Sequence, residues 1–374
     1  MDELPLRTGF EVELLAPAGA DRQDLADAFA VRCGGSVRRS FHLDSTPSPV
    51  PGIGVFRHLS PAFDVAGPDG RPVARLVDDI TIEADLAPAA GSPPGRGRRG
   101  WYRILCDDAR LLRLVERHVD PQAPLEAVLD PVAELFGVRA EVVAGAARVN
   151  DATGATIAVA MPLPAGRERP CEVITPPLAT GHRAALEELL APARELGFTV
   201  PREAAVHLHV DGAPFRRPQA FANVVRLFAH WREPLWAALG TNPACRRLAP
   251  LPAALVELVE QPWTDGVGDH GGADDAWAGL RAAVREVGVT KYADVNLTQL
   301  VSERPLRDTL EVRILPGAIE PDAIVRRAAL VHALLLRCTA GAPLPRPGAD
   351  AVGDPWGALE RLAAGADLAV GGVR

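Results

Sequence analysis

Five short stretches of this 374-residue chain alternate apolar and polar residues with a period of two. They are Phe10-Glu11-Val12-Glu13-Leu14, Ile80-Thr81-Ile82-Glu83, Cys171-Glu172-Val173, Val206-His207-Leu208-His209-Val210 and Leu310-Glu311-Val312-Arg313-Ile314. Successive side chains of a strand point to opposite faces. Each stretch therefore puts Val, Leu or Ile on one face and Glu, His or Arg on the other. One such strand is an ordinary amphipathic edge. Five with chemically matched polar faces predict an α+β fold, an antiparallel sheet packed on helices on one side with a concave polar face on the other.

The polar residue types narrow the chemistry. Glu11 and Glu13 share a strand face, about 7 Å apart. Like charges in a partly buried site disfavour each other's ionised form, and a bound cation removes that conflict. Glutamates with one or two histidines in oxygen-rich surroundings suit Mg²⁺ or Mn²⁺. Mg²⁺ sites usually borrow substrate phosphates as further ligands. Arg313 lies two residues after Glu311, on the same face. A planar guanidinium beside a carboxylate-bound metal is suited to neutralising charge during phosphoryl transfer. The bland alternative is a plain Arg313–Glu311 salt bridge. His207 and His209 could also hold zinc, but the sequence offers no His-Glu-x-x-His helix and no cysteine pair.

Composition excludes several classes. The chain is 48% hydrophobic and 24% charged, ordinary globular content. With a net charge of −8 and no basic stripe, a nucleic-acid partner is not expected. No apolar run approaches a membrane span, so no membrane association is expected. The start, Met1-Asp2-Glu3-Leu4-Pro5, lacks a signal-peptide pattern. The five cysteines are far apart, which argues against a disulfide framework and fits a cytoplasmic location. Lys291 is the only lysine among 40 Lys and Arg residues. It heads Lys291-Tyr292-Ala293-Asp294-Val295-Asn296-Leu297, which reads as a strand.

Along the chain, strand 9–15 is followed by a helix from Asp21 to Arg32 closed by glycine. Residues 41–61, rich in Pro, Ser and Gly, read as loop. Residues 73–85 contain the second polar-faced strand. Residues 87–100 read as a flexible basic loop or lid, and 264–274 as a Gly- and Asp-rich loop. A strand at 101–106, helices near 107–118 and 124–136, and a hairpin over 139–162 follow. Further helices are expected at 180–196, 218–239, 275–287 and 321–338. The expectation is one catalytic domain over 1–340 and a Pro/Gly-rich tail over 341–374 with a weak helix near 355–364.

Six segments occur in the order seen in the putative amidoligase family. They are Gly9-Phe10-Glu11-Val12-Glu13, Asp79-Ile80-Thr81-Ile82-Glu83, Glu172-Val173-Ile174-Thr175-Pro176, Val206-His207-Leu208-His209-Val210, Lys291-Tyr292 through Asn296-Leu297, and Glu311-Val312-Arg313. Each alone is weak, but the ordered set resembles that family over about residues 8–338. The family is related to glutamate–cysteine ligase and glutamine synthetase. The resemblance implies a glutamine-synthetase-like catalytic fold holding ATP and two or three Mg²⁺ ions. Carried over residue by residue, Glu11, Glu13, Glu172 and Glu311 resemble metal-binding glutamates. His209, with His207, resembles the histidine near metal and phosphates. Asn296 resembles a polar residue facing ATP or substrate, and Arg313 the arginine on the transferred phosphate. Lys291 joins the cofactor-binding set. The family's second motif usually reads Asp-x-Ser; here Thr81 follows Asp79 and keeps the hydroxyl. Loop 87–100 interrupts the expected spacing.

The implied reaction joins a small-molecule or peptide carboxylate to an amine with ATP. Asp79 or Glu83 is the expected proton acceptor. The competing readings are a zinc hydrolase using the same Glu/His set and a phosphotransferase of similar fold.

Overall fold

The computed structural model describes residues 3–47, 55–86, 99–245, 247–261 and 273–370. Twelve strands and twelve α-helices follow in chain order. The first part runs β1 (Thr8–Leu15), α1 (Arg22–Cys33), β2 (Ser36–Pro47), β3 (Val55–Ala66), β4 (Pro72–Val77), β5 (Tyr102–Leu105), α2 (Ala109–His118) and α3 (Asp130–Phe136). Then come β6 (Glu141–Val143), β7 (Ala146–Asn150), β8 (Thr156–Pro162), β9 (Pro170–Ile174), α4 (His182–Glu195) and β10 (Ala205–Asp211). The remainder is α5 (Pro218–His230), α6 (Arg232–Leu239), α7 (Ala253–Glu260), α8 (Ala273–Val287), β11 (Val295–Asn296), α9 (Thr298–Val301), β12 (Thr309–Pro316), α10 (Pro321–Thr339), α11 (Asp350–Gly353) and α12 (Pro355–Val370). The named strand pairs are antiparallel. The fold is α+β, as the alternation predicts.

The chain forms two compact units. The first holds residues 1–12, 175–190 and 202–374, and the second holds 13–174 and 191–201. The chain first passes from one unit to the other within β1, after Val12.

In the first unit the strand order is β11-β12-β10-β1. Phe10, Val12, Val206, Leu208, Val210, Leu310, Val312 and Ile314 are buried. Their period-two spacing keeps one face apolar. His182, at the start of α4, packs edge-on against Phe10 at 6.3 Å between ring centroids. His332 of α10 lies 3.0 Å from the Thr8 hydroxyl. The registers place Glu11 opposite His207 and His209 opposite Glu311. Val206 pairs with Leu315 but Leu208 pairs with Val312. Two residues of β12, Arg313 and Ile314, therefore stand where β10 offers one, His207. This is a bulge, a device that redirects side chains at functional sites.

In the second unit the order is β9-β4-β3-β5-β8-β7-β6, with β2 also on β3. Its core joins Phe41, Leu59 and Ile104 of the sheet to Leu112 and Val115 of α2 and Val132 of α3. Asp21 caps α1 in a capping box with Asp24, worth about 1 kcal/mol against alanine. Arg22 in the first turn is fully buried. Its Nη1 donates to the carbonyls of Arg167, Glu168 and Pro170, and its guanidinium stacks 4.7 Å from the Trp101 ring. Asp78 is the nearby carboxylate, 3.9 Å from Arg22, 2.8 Å from Arg167 and 3.0 Å from Arg103. Burial pushes the Asp78 pKa up, but the three guanidiniums outweigh it and hold the group below its ordinary range.

Several expectations are corrected. Of the loop expected over 41–61, residues 41–47 and 55–61 belong to β2 and β3, paired from Ser36–Ala66 to Pro47–Val55, and residues 48–54 lie outside the described residues. Alternating burial of Phe41, Leu59 and Phe63 outweighs the turn-like composition. The Ile80–Glu83 stretch is not a strand. β4 ends at Val77, and the Asp79 carboxylate accepts bonds from the Thr81 N–H and hydroxyl at 2.8 Å. Such side chain-to-backbone bonds compete with a ladder. The 291–297 strand shrinks to Val295–Asn296, the 124–136 helix to Asp130–Phe136, and the 218–239 helix divides at Trp231. After residue 340, expected as a tail, Ala351, Ala358, Leu359 and Leu362 of α11 and α12 are buried. Residues 87–98 of the expected lid and 264–272 of the second expected loop lie outside the described residues.

Asp78 gives the first test. Asp78→Ala leaves the buried Arg22 and Arg167 and the half-buried Arg103 without their shared carboxylate. It should destabilise the second unit by about 3–5 kcal/mol, the usual cost of breaking a buried ion pair. Urea unfolding followed through Trp101 fluorescence measures it. Loss of less than about 1 kcal/mol would mean the carbonyl contacts suffice.

Candidate active site

The polar face of the first unit's sheet gathers residues from four strands. Glu11 comes from β1, His207 and His209 from β10, Asn296 from β11, and Glu311 and Arg313 from β12. One ligand atom each from Glu11, His209 and Glu311 lie within 4.8 Å of one another. All but His209 and Arg313 are buried, and those two side chains are only 13% and 11% exposed.

Each carboxylate is fixed by named partners. Glu311 accepts a hydrogen bond from Asn296 Nδ2 at 2.8 Å on Oε2, and Arg313 Nη1 donates to Oε1. Asn296 is itself held, since its Oδ1 accepts from the Thr298 N–H and hydroxyl at 3.0 and 2.6 Å. Glu11 Oε2 lies 3.3 Å from His207 Nδ1, and Glu11 Oε1 lies 3.0 Å from His209 Nε2 and 3.2 Å from Arg307 Nη1. The His209 Nε2 contact is close but lacks hydrogen-bond alignment, and that buried nitrogen has no hydrogen-bond partner. The other ring nitrogen, Nδ1, lies 3.3 Å from the Thr309 hydroxyl. The Arg313 N–H donates to the Asp294 carbonyl at 3.0 Å. Asp294 is tied in turn to Arg232 at 2.7 Å and to the Trp236 indole at 2.9 Å.

The electrostatics separate the two histidines. Burial would lower both. At His207, burial and then the Arg313 charge prevail over Glu11 and Glu311, and the pKa falls below 6.5. At His209 the Glu11 charge prevails over burial, and the pKa rises above 6.5. Burial pushes Glu11 up, but His209 and His207 outweigh it and hold the group well below the usual carboxylate range. Glu311 is likewise held low against burial, chiefly by Arg313 and then His209. The face thus holds two carboxylates kept low by Arg313, Arg307 and His209, whose own raised pKa favours its charged form. Two carboxylates and an imidazole converging within 4.8 Å can hold one divalent cation. The donor set fits, because His209 Nε2 is already buried among the carboxylates without a bond of its own.

Of the remaining expected site residues, Glu13, Asp79, Thr81, Glu83 and Glu172 lie in the second unit and Lys291 in the first. Glu13 is buried in the second-unit part of β1. Glu172 is half-buried on β9, opposite Val77. Asp79 and Thr81 bind each other, and burial raises the Asp79 pKa above its ordinary value. Glu83 is exposed. The Lys291 ammonium lies 5.5 Å from the Tyr292 ring centroid. Two residues of the first-unit face escaped the sequence reading, Thr309 and Arg307. For Thr309 the signal was present: it lies one step of two before Glu311 on β12, so the same alternation extended backwards includes it. Arg307 lies in a bend before β12 begins, where alternation gives no guide.

The Glu11–His209 contact yields a pH-dependent expectation for the metal-free protein. A histidine whose folded pKa is raised contributes stability that is fully present below the unfolded value near 6.5. That contribution is lost as pH rises through the folded pKa. Glu11→Gln removes the charge, so burial should then bring the His209 midpoint below 6.5. NMR titration of ring-labelled histidine measures both proteins, and an unchanged midpoint would remove Glu11 as the cause.

The family model described as putative amidoligase enzyme matches residues 4–335, which include every residue of this cluster. No curated protein matches the chain. Nearly the whole described fold lies inside the match, and the chain belongs to this putative amidoligase family, whose description is that of a ligase-type enzyme.

Proposed function

We propose that the chain is an ATP-dependent carboxylate–amine ligase that works through an acyl phosphate. The observation that carries this reading is the meeting of Glu11, Glu311 and His209 within 4.8 Å, with Arg313 on the Glu311 carboxylate. A divalent ion and a nucleotide would share those oxygens, as Mg²⁺ shares carboxylates and phosphates elsewhere. Mg²⁺ or Mn²⁺ supplies charge screening and draws electron density from the phosphoryl oxygens.

The chain's own groups supply the rest. Glu11, Glu311 and His209 would hold the ion. Asn296 keeps Glu311 turned by bonding one oxygen, which leaves the other to exchange Arg313 for the metal. Arg313 and Arg307, released from Glu311 and Glu11, are then available to phosphate oxygens. A guanidinium suits that task, being always charged and able to give two parallel N–H bonds. A carboxylate is a poor acyl donor because attack on it would expel oxide. In the proposed reaction its oxygen bonds to the γ-phosphorus and the bond to the bridging oxygen breaks, releasing ADP. The amine nitrogen then bonds to the acyl carbon and inorganic phosphate leaves, and the amine proton passes to a base. The substrates are a small-molecule or peptide carboxylate and an amine.

A zinc hydrolase is the rival that the Glu-Glu-His set also permits. It would act without nucleotide, and it gives the two arginines no anion to receive. Among the described residues no helix is long and apolar enough to cross a membrane.

Arg313 separates these readings. Arg313→Lys keeps a charge beside Glu311 but loses the planar fork. ADP release, screened over amino acids and amines with Mg²⁺, should fall on the order of a hundred-fold in this variant. Mg-ATP binding by calorimetry should stay within a few-fold. Glu11→Gln should instead weaken Mg-ATP binding itself. If Arg313 serves only as Glu311's salt-bridge partner, Arg313→Lys would keep wild-type turnover.

A further inference from the structure

The sheet of the second unit has a polar face of its own. Phe41, Leu59 and Ile104 point into the apolar core. Alternation then sends Ser40, His42 and Asp44 of β2, and His58 and Ser60 of β3, to the opposite face. Ser60 stands against His42, and His58 against Asp44. β5 pairs with β3 at Leu59–Ile104 and His58–Leu105. The same register one residue further sets Arg103 against Ser60.

Three groups at these neighbouring positions share an unusual condition. His58 and Ser60 are 3% and 1% exposed. Among the described residues Ser60 Oγ, His58 Nε2 and Arg103 Nε have no hydrogen-bond partner. Buried polar groups are paired in the great majority of cases, so three orphans side by side call for a common partner. All three can donate. Burial, and then the Arg103 charge, push the His58 pKa down to about 4, so the ring is neutral at pH 7 and its Nε2 can carry a proton. Arg103 brings a positive charge to this face, and Asp44, across from His58, a negative one. Arg103, Arg167 and Arg22 share the single carboxylate of Asp78. Arg103 is the most exposed of the three, at 26% of its side chain, against 9% and 0%. Its Nη2 bonds Asp78 at 3.0 Å, which leaves the Nε–H for another acceptor.

We propose that Arg103 Nε, Ser60 Oγ and His58 Nε2 form a binding site within the second unit for a small carboxylate. A carboxylate fits better than a phosphate. It carries a single charge, and Arg103 already shares its own with Asp78. Three donors satisfy two carboxylate oxygens but leave a phosphate dianion short of partners. The site is independent of the ligase reading: it stands on binding alone and needs no nucleotide.

The test uses full-length protein with ring-labelled histidine and no nucleotide. His58 signals are assigned with His58→Gln, and N-acetylglycine is titrated at constant ionic strength. The His58 ring should shift and saturate. Arg103→Lys, which keeps a cation beside Asp78 but removes Nε–H, should weaken binding about ten-fold or more, the scale of a lost bond to a charged group. Ser60→Ala should weaken it several-fold. If Arg103→Lys melts early, Ser60→Ala alone decides. A shift that never saturates overturns the proposal, as does binding unchanged in Ser60→Ala. Inorganic phosphate binding more tightly than N-acetylglycine would reassign the subsite. None of these outcomes touches ADP release in Arg313→Lys, so failure of the subsite and failure of the ligase reading are separate results.

Discussion

Buried carboxylates need cations, and the sheet of the first unit is arranged around that need. Glu11 and Glu311 are 8% and 7% exposed and both are held ionised. An isolated carboxylate in such surroundings would take up a proton. Instead Arg313, Arg307 and His209 converge on the pair. The antiparallel registers make this possible by setting Glu11 across from His207 and His209 across from Glu311. The bulge at Arg313 places one more residue on β12 opposite His207. Moving either register by one residue would set the polar positions of one strand against the apolar positions of its neighbour.

This part of the molecule was legible because strand alternation is short-range and leaves a mark on composition. Val, Leu and Phe at every second position fix which face is buried. Glu, His and Arg at the intervening positions then need no long-range information to be grouped. The bulge was not legible, since nothing in Glu311-Val312-Arg313-Ile314-Leu315 marks which residue is doubled against β10. Arg307 was not legible either, because it lies in a bend before β12 begins at Thr309 and reaches Glu11 from outside the strand.

The failures share a physical cause. Residues 41–61 carry turn-forming residues, yet β2 and β3 pair over twelve positions from Ser36–Ala66 to Pro47–Val55. Pairing between strands is decided by what lies alongside, and composition along one strand does not record it. The opposite error occurred at Ile80–Glu83, where alternation was real but the Asp79 side chain bonds Thr81 and turns the chain. Burial of polar groups was equally hidden. Asp78 and Arg22 gave no sign in the sequence that they would be among the most buried charges of the second unit.

The two polar faces meet the demand for charge balance in opposite ways, and this bears on what each can receive. In the first unit, cations surround two carboxylates. A divalent ion would take the place of those cations on the carboxylates and release guanidiniums toward an anion. Such a site accepts a cation and an anion together. In the second unit, three guanidiniums surround the one carboxylate of Asp78. Asp78 is not available for exchange, because loss of its partners would leave it a buried, unpaired charge. The donors left unbonded on that face, Arg103 Nε, Ser60 Oγ and His58 Nε2, suit an anion instead.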